Sequence, residues 1–145
     1  MRLVIQRVSS AAVRVAGERV GAIGRGMLVL VGVEREDAPA AALAAAEKLA
    51  GLRIFDDGTG KMNLDAAAAG GAFLVVSQFT LAGSLARGRR PSFDRAAPPE
   101  EAAPLIEELV AELRRRGCEV ATGRFRAQME VELVNDGPVT LVADF

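Results

Sequence analysis

Met27-Leu28-Val29-Leu30-Val31-Gly32-Val33 is an apolar run with no polar residue at alternate positions. A strand with one wet face would alternate; a strand buried on both faces has this composition. Ala72-Phe73-Leu74-Val75-Val76 repeats the pattern, and it continues directly into the polar Ser77-Gln78-Phe79-Thr80-Leu81. Two doubly buried strands need cover on both sides, so the rest of the chain reads as what encloses them.

Upstream, Leu3 to Val8 is rich in β-branched residues, and Val13 and Val15 alternate with Ala12 and Arg14. Ala16-Gly17-Glu18 is a tight turn into Val20-Gly21-Ala22-Ile23, which predicts a hairpin. Between the two apolar runs, Asp37 is the expected N-cap of a helix from about Ala38 to Ala50, with Pro39 in its first turn. Leu43, Ala46, Leu49 and Ala50 form its expected apolar face, and Gly51 its C-terminal stop. Residues 82 to 99 are punctuated by Gly83, Gly88, Pro91, Pro98 and Pro99 and read as loop. A second helix is predicted over about Glu100 to Arg116, with Leu105, Leu109 and Leu113 on one stripe, acids at its start and arginines at its end. Glu119 to Thr122, Gln128 to Val134 and Val139 to Phe145 read as closing strands. The order predicts a single α/β domain over residues 1–145, a strand-rich, barrel-like core of mixed sheets with two main helices.

Composition narrows the chemistry. The 145 residues are 50% hydrophobic, enough for one packed core. Eighteen basic residues against 19 acidic leave a net charge of −1, which argues against a general nucleic-acid coat. There is no His, so neither a Ser-His-Asp group nor a His-ligated zinc is available. Cys118 is the lone cysteine, which excludes an internal disulfide and fits a reducing cytosol. Met1-Arg2-Leu3-Val4-Ile5-Gln6-Arg7 turns polar too early for a signal peptide, and no apolar run approaches the roughly 20 residues of a membrane span.

Three segments break local rules. Ser77-Gln78-Phe79-Thr80 puts polar side chains at the end of a buried strand, where α/β folds tend to place ligands. These residues can donate to an oxyanion or supply a nucleophile, or simply satisfy backbone groups at the strand end. Arg87-Gly88-Arg89-Arg90-Pro91-Ser92-Phe93-Asp94-Arg95 carries four arginines and one acid around an aromatic, suited to phosphates and a base or to a solvated loop. Arg124 and Arg126, with the end of the second helix, add a second basic area. Asn135-Asp136-Gly137-Pro138-Val139-Thr140 reads by itself as a hairpin connection between two strands. Weaker candidates are Cys118, expected to be an inert packed thiol, and Asp56-Asp57-Gly58-Thr59-Gly60, which has only part of a calcium loop's ligands.

Taken in order, the segments resemble the D-aminoacyl-tRNA deacylase family. Ser77-Gln78-Phe79-Thr80-Leu81 and Asn135-Asp136-Gly137-Pro138-Val139-Thr140 resemble its two signature motifs. The likeness extends to Ile5-Gln6-Arg7-Val8, Arg53-Ile54-Phe55, Gly60-Lys61-Met62-Asn63-Leu64, Arg90-Pro91-Ser92-Phe93 and Thr122-Gly123-Arg124-Phe125, covering essentially the whole chain. The resemblance implies a cytoplasmic homodimer, without metal or organic cofactor, that hydrolyses the ester between a D-amino acid and tRNA. It implies a catalytic pocket formed by Ser77, Gln78, Phe79 and Thr80. It also implies that a cis Gly137-Pro138 peptide, with Val139 beside it, reaches into the partner subunit's pocket. Arg87, Arg89, Arg90 and Phe93 are the expected contacts to the tRNA 3′ end.

The implied chemistry is physically coherent. An enzyme that accepts many D-amino acids must read the arrangement around Cα, because their side chains share neither size nor charge. Backbone carbonyls can hold the substrate ammonium and leave no room for an L side chain. With no His as base, either Thr80 acts as nucleophile or the 2′-hydroxyl beside the ester assists, with Thr80 positioning; the second is preferred. Two alternatives are a Thr80-nucleophile esterase of small D-amino-acid esters and a catalytically silent module binding RNA ends.

Overall fold

The computed structural model describes residues 1–86 and 88–145. Strand β1 (Arg2–Val15) is the spine. Strands β2 (Glu18–Ile23) and β3 (Gly26–Gly32) follow one another along one of its edges, pairing with Ala11–Val15 and Arg2–Val8. The final strand runs antiparallel along its other edge. Ala16 and Gly17 both have positive φ, 49° and 81°, the two-residue turn whose twist matches its strands. From β3 the chain passes through α1 (Pro39–Ala50), a small hairpin of β4 (Phe55–Asp56) and β5 (Met62–Leu64), and returns as β6 (Ala72–Ser77), parallel to β3. It then crosses through α2 (Pro99–Arg115) to β7 (Val120–Thr122), parallel to β6, and ends in β8 (Glu130–Asp144).

Two crossovers stepping the same way across a sheet with the usual hand place both helices on one face. Hence α1 and α2 share a core with Leu3, Ile5, Met27, Val29, Val31, Phe73 and Val75. The alternate residues Leu28, Leu74 and Val76 face the other way and meet Val8, Val13 and Ile23 as the sheet curls back on itself. Both apolar runs are thus buried on both faces, as their composition predicts. β1 changes sides midway: Leu3 and Ile5 belong to the helix-side core, Val8 and Val13 to the interior. A β-carbon on Gly21 of β2 would overlap the Thr122 carbonyl of β7, and glycine there lets the two ends of the sheet approach and nearly close a barrel.

Three local expectations are corrected. Ala38, not Asp37, caps α1 and makes no side-chain capping bond. Asp37 instead takes the N-terminal ammonium and, at 2.7 Å, the Glu34 N–H. The buried face of α1 is Ala42, Ala45, Ala46 and Leu49, while Leu43 is exposed; alanine on nearly every side left the stripe undecided until α2 packed against it. Gly51 ends α1 as expected, with φ −95°. The third correction concerns Asn135–Thr140. Both flanks run along the same edge of β1, so the segment is an insertion within one strand rather than a turn between two.

Candidate active site

The carboxyl ends of parallel β3 and β6 point the same way, and the polar tetrad begins there. The Gln78 N–H donates to the Val31 carbonyl at 2.8 Å, carrying the ladder one residue past Ser77. The chain then tightens into a single 3-10 turn, Phe79–Ala82. The first amides of a helical turn have no intrahelical acceptor, so the Phe79 and Thr80 N–H groups are free to meet a ligand oxygen. The Gln78 side-chain amide donates to the Thr80 hydroxyl. Gly83 closes the turn by donating to the Thr80 carbonyl at 3.0 Å, and it is glycine for want of space. A β-carbon there would lie 2.8 Å from both the Thr80 oxygen and the Phe93 ring. Phe93 packs edge-on against Phe79 with ring centroids 5.2 Å apart, while Phe79 stays 56% exposed.

A cavity of about 760 Å3 opens at this point. Ser77, Gln78, Phe79 and Thr80 form one wall; Phe93, Ala96 and Ala97 of the long loop, and Ala102 and Ile106 of α2, form others. Phe125, Arg126, Ala127, Gln128 and Met129 close the far side. Its lining is mainly apolar and, among the described residues, includes one ionisable residue, Arg126. A smaller cavity of about 300 Å3 adjoins it, sharing Ser77, Ile106 and Phe125. The structure thus brings all four residues of the tetrad together and adds Phe93 to them.

Gly137 and Pro138 are elsewhere. Thr140 pairs with Gln6 and Asn135 with Val8, so four residues of β8, 136–139, stand opposite Arg7 alone and bulge outward. Gly137 and Pro138 are exposed, Val139 is half-buried, and the Gly137–Pro138 peptide is cis. The protrusion is braced at its base. The Asn135 amide accepts from the Val139 N–H at 2.8 Å and donates to the Val139 carbonyl and the Thr140 hydroxyl, both at 3.1 Å. Arg7 reaches in from β1, donating to the Asp136 carbonyl at 2.8 Å and to the Ile54 carbonyl at 2.6 Å. Sequence reasoning gave no role to Arg7 or Asn135, although both lie in the quoted motifs. Their importance appears only once β1 and β8 are paired.

The remaining candidates separate. Arg89 and Arg90 are exposed on the loop that carries Phe93, and Arg87 lies outside the described residues. Phe93 of that loop and Arg126 line the same cavity. Cys118 follows α2, away from both cavities, and burial pushes its thiol above the ordinary range, which keeps it a weak nucleophile. Among the described residues no cluster of His, Cys, Asp or Glu is placed to hold a metal ion, and no helix is long and apolar enough to cross a membrane.

Comparison with known proteins gives the class first. The sequence model described as D-Tyr-tRNA(Tyr) deacylase matches residues 4–144. The D-aminoacyl-tRNA deacylase of Symbiobacterium thermophilum is 61% identical over 144 residues, covering 99% of this chain and 95% of the relative. That of Anaeromyxobacter dehalogenans is 59% identical, covering 99% and 97%. Among solved structures, a c-Myc DNA unwinding element binding protein superposes with a TM-score of 0.93 at 36% identity, over 100% of this chain and 99% of that one. The chain is therefore a hydrolase. It belongs to the D-aminoacyl-tRNA deacylase family.

Proposed function

We propose that this enzyme is a cytoplasmic homodimer that removes D-amino acids from tRNA, with each 760 Å3 cavity completed by the Gly137–Pro138 protrusion of the other subunit. One observation carries the reading. A single chain holds two braced motifs, one lining a cavity and the other standing exposed on a different surface. The protrusion would present backbone carbonyls to the substrate ammonium, which suits a cavity wall that offers no carboxylate. The same rigid backbone would fill the volume into which an L side chain projects, so selection works by clash.

In the reaction, water attacks the ester carbonyl carbon and the carbonyl oxygen gathers charge. The N–H groups of Phe79 and Thr80, helped by Gln78, are suited to stabilise it; a donor of this kind is typically worth ~10²–10³ in rate. The tetrahedral intermediate collapses with loss of the RNA 3′-oxygen, which takes up a proton. The products are a free D-amino acid and tRNA. Proton traffic falls to the neighbouring 2′-hydroxyl of the terminal adenosine, with Thr80 positioning. Arg89, Arg90 and Phe93, and Arg87 from the same loop, are assigned to the tRNA end.

Selection by clash has a consequence that tests it. Glycine has no side chain to exclude, so glycyl-tRNA should be hydrolysed like the D-alanyl form while L-alanyl-tRNA survives. The measurement is the three deacylation rates at equal enzyme concentration. Survival of glycyl-tRNA beside rapid loss of D-alanyl-tRNA contradicts exclusion by clash.

A further inference from the structure

Among the described residues, Arg126 is the one charged residue lining the larger cavity. It is exposed, and among the described residues it makes no ion pair, whereas nearby Arg124 lies 3.7 Å from Glu18. Its backbone has φ +61°, the left-handed region that side chains with a β-carbon disfavour and glycine occupies freely. The turn is closed by the Ala127 N–H donating to the Arg124 carbonyl at 3.2 Å, and Phe125 and Ala127 on either side also line the cavity. A strained position on the cavity wall therefore carries a cation that, among the described residues, has no ion-pair partner and no charged neighbour in the lining.

The substrate end supplies a matching charge. An aminoacyl-adenosine brings a cationic ammonium at the ester and, on its other side, the phosphodiester joining the terminal adenosine to the preceding nucleotide. We propose that Arg126 binds this phosphodiester and marks where the RNA strand leaves the cavity. The assignment rests on the deacylase reading. A guanidinium presents paired N–H donors that match two phosphate oxygens, and the charge completes the contact. Arg126 is then a substrate-binding residue that fixes the RNA side of the ester without touching the reacting carbon.

The test uses the dimer as purified, with three substrates: D-tyrosyl-tRNA, the 3′-D-tyrosyl ester of adenosine 5′-monophosphate, and the same ester of adenosine, which lacks any phosphate. Arg126→Gly removes the charge and also relieves the backbone, so its melting temperature should match or exceed that of the parent. Its KM for the tRNA and monophosphate substrates should rise about fivefold, the scale of one exposed ion pair, with kcat within about twofold. Its KM for the adenosine ester should not change, and Arg126→Lys should recover part of the loss. The slope of log KM against log salt for the tRNA substrate should fall by about 0.7, one phosphate contact on a single strand. An unchanged KM for tRNA, or an equal rise for all three esters, overturns the assignment while leaving the deacylase reading intact. Failure of the parent enzyme to cleave D-tyrosyl-tRNA overturns both.

Discussion

The Thr80 hydroxyl is held by an amide, and neither end of an amide is a base. A hydroxyl nucleophile needs its proton removed, and the sequence has no His to do it. This favours the proposed mechanism, in which Thr80 would hold substrate rather than attack it. Thr80→Ala should lower the single-turnover rate by less than the ~10²–10³ lost with an oxyanion donor, leaving deacylation readily measurable. A tRNA with a 2′-deoxy terminal adenosine should resist the unaltered enzyme. Complete loss with Thr80→Ala, in a folded variant that still binds tRNA, points instead to a covalent acyl-enzyme. The tetrad could be found in the sequence because an apolar run ending abruptly in Ser77-Gln78 has no packing reason. The unpaired state of Arg126 could not, since it depends on which carboxylates fold beside it.

At the scale of elements, β8 carries the account of selectivity. Asn135-Asp136-Gly137-Pro138 has the composition of a turn, and a reading of local chemistry makes it one. What overrides that reading is β1, whose 14 residues offer one continuous edge to both flanks. The insertion is then forced outward opposite Arg7. Pairing between residues more than a hundred positions apart cannot be read from either segment. The buried strands β3 and β6 were legible because their composition alone demands cover on both faces. For α1 the difficulty was degeneracy: an alanine-rich helix presents several equivalent stripes, and packing selects one. The brace at Asn135 leads to a prediction. Asn135→Ala removes three hydrogen bonds of about 1 kcal/mol each from the base of the protrusion. The kcat/KM ratio for L- over D-tyrosyl-tRNA should rise about tenfold or more as the excluding backbone loosens. An unchanged ratio in a folded variant removes Asn135 from the selection device.

The whole molecule leaves β8 as an edge 15 residues long, with Val134 57% and Val142 65% exposed on either side of the protrusion. Long apolar edges invite pairing unless something covers them. In the proposed dimer, a second copy that also receives Gly137–Pro138 would cover the edge and complete the cavity in one contact. Sedimentation should give the mass of two chains. Val142→Glu, a change at an exposed position that leaves the core untouched, should shift the mass towards one chain and lower activity in parallel. Full activity from a single chain contradicts the shared site. The central claim is that this cavity distinguishes the hand of the amino acid and not its side chain. Its most direct test is hydrolysis of D-tyrosyl-tRNA and L-tyrosyl-tRNA, charged on the same tRNA, by the purified enzyme. The D form should be cleared while the L form decays no faster than in buffer; equal enzymatic rates on the two would contradict the claim.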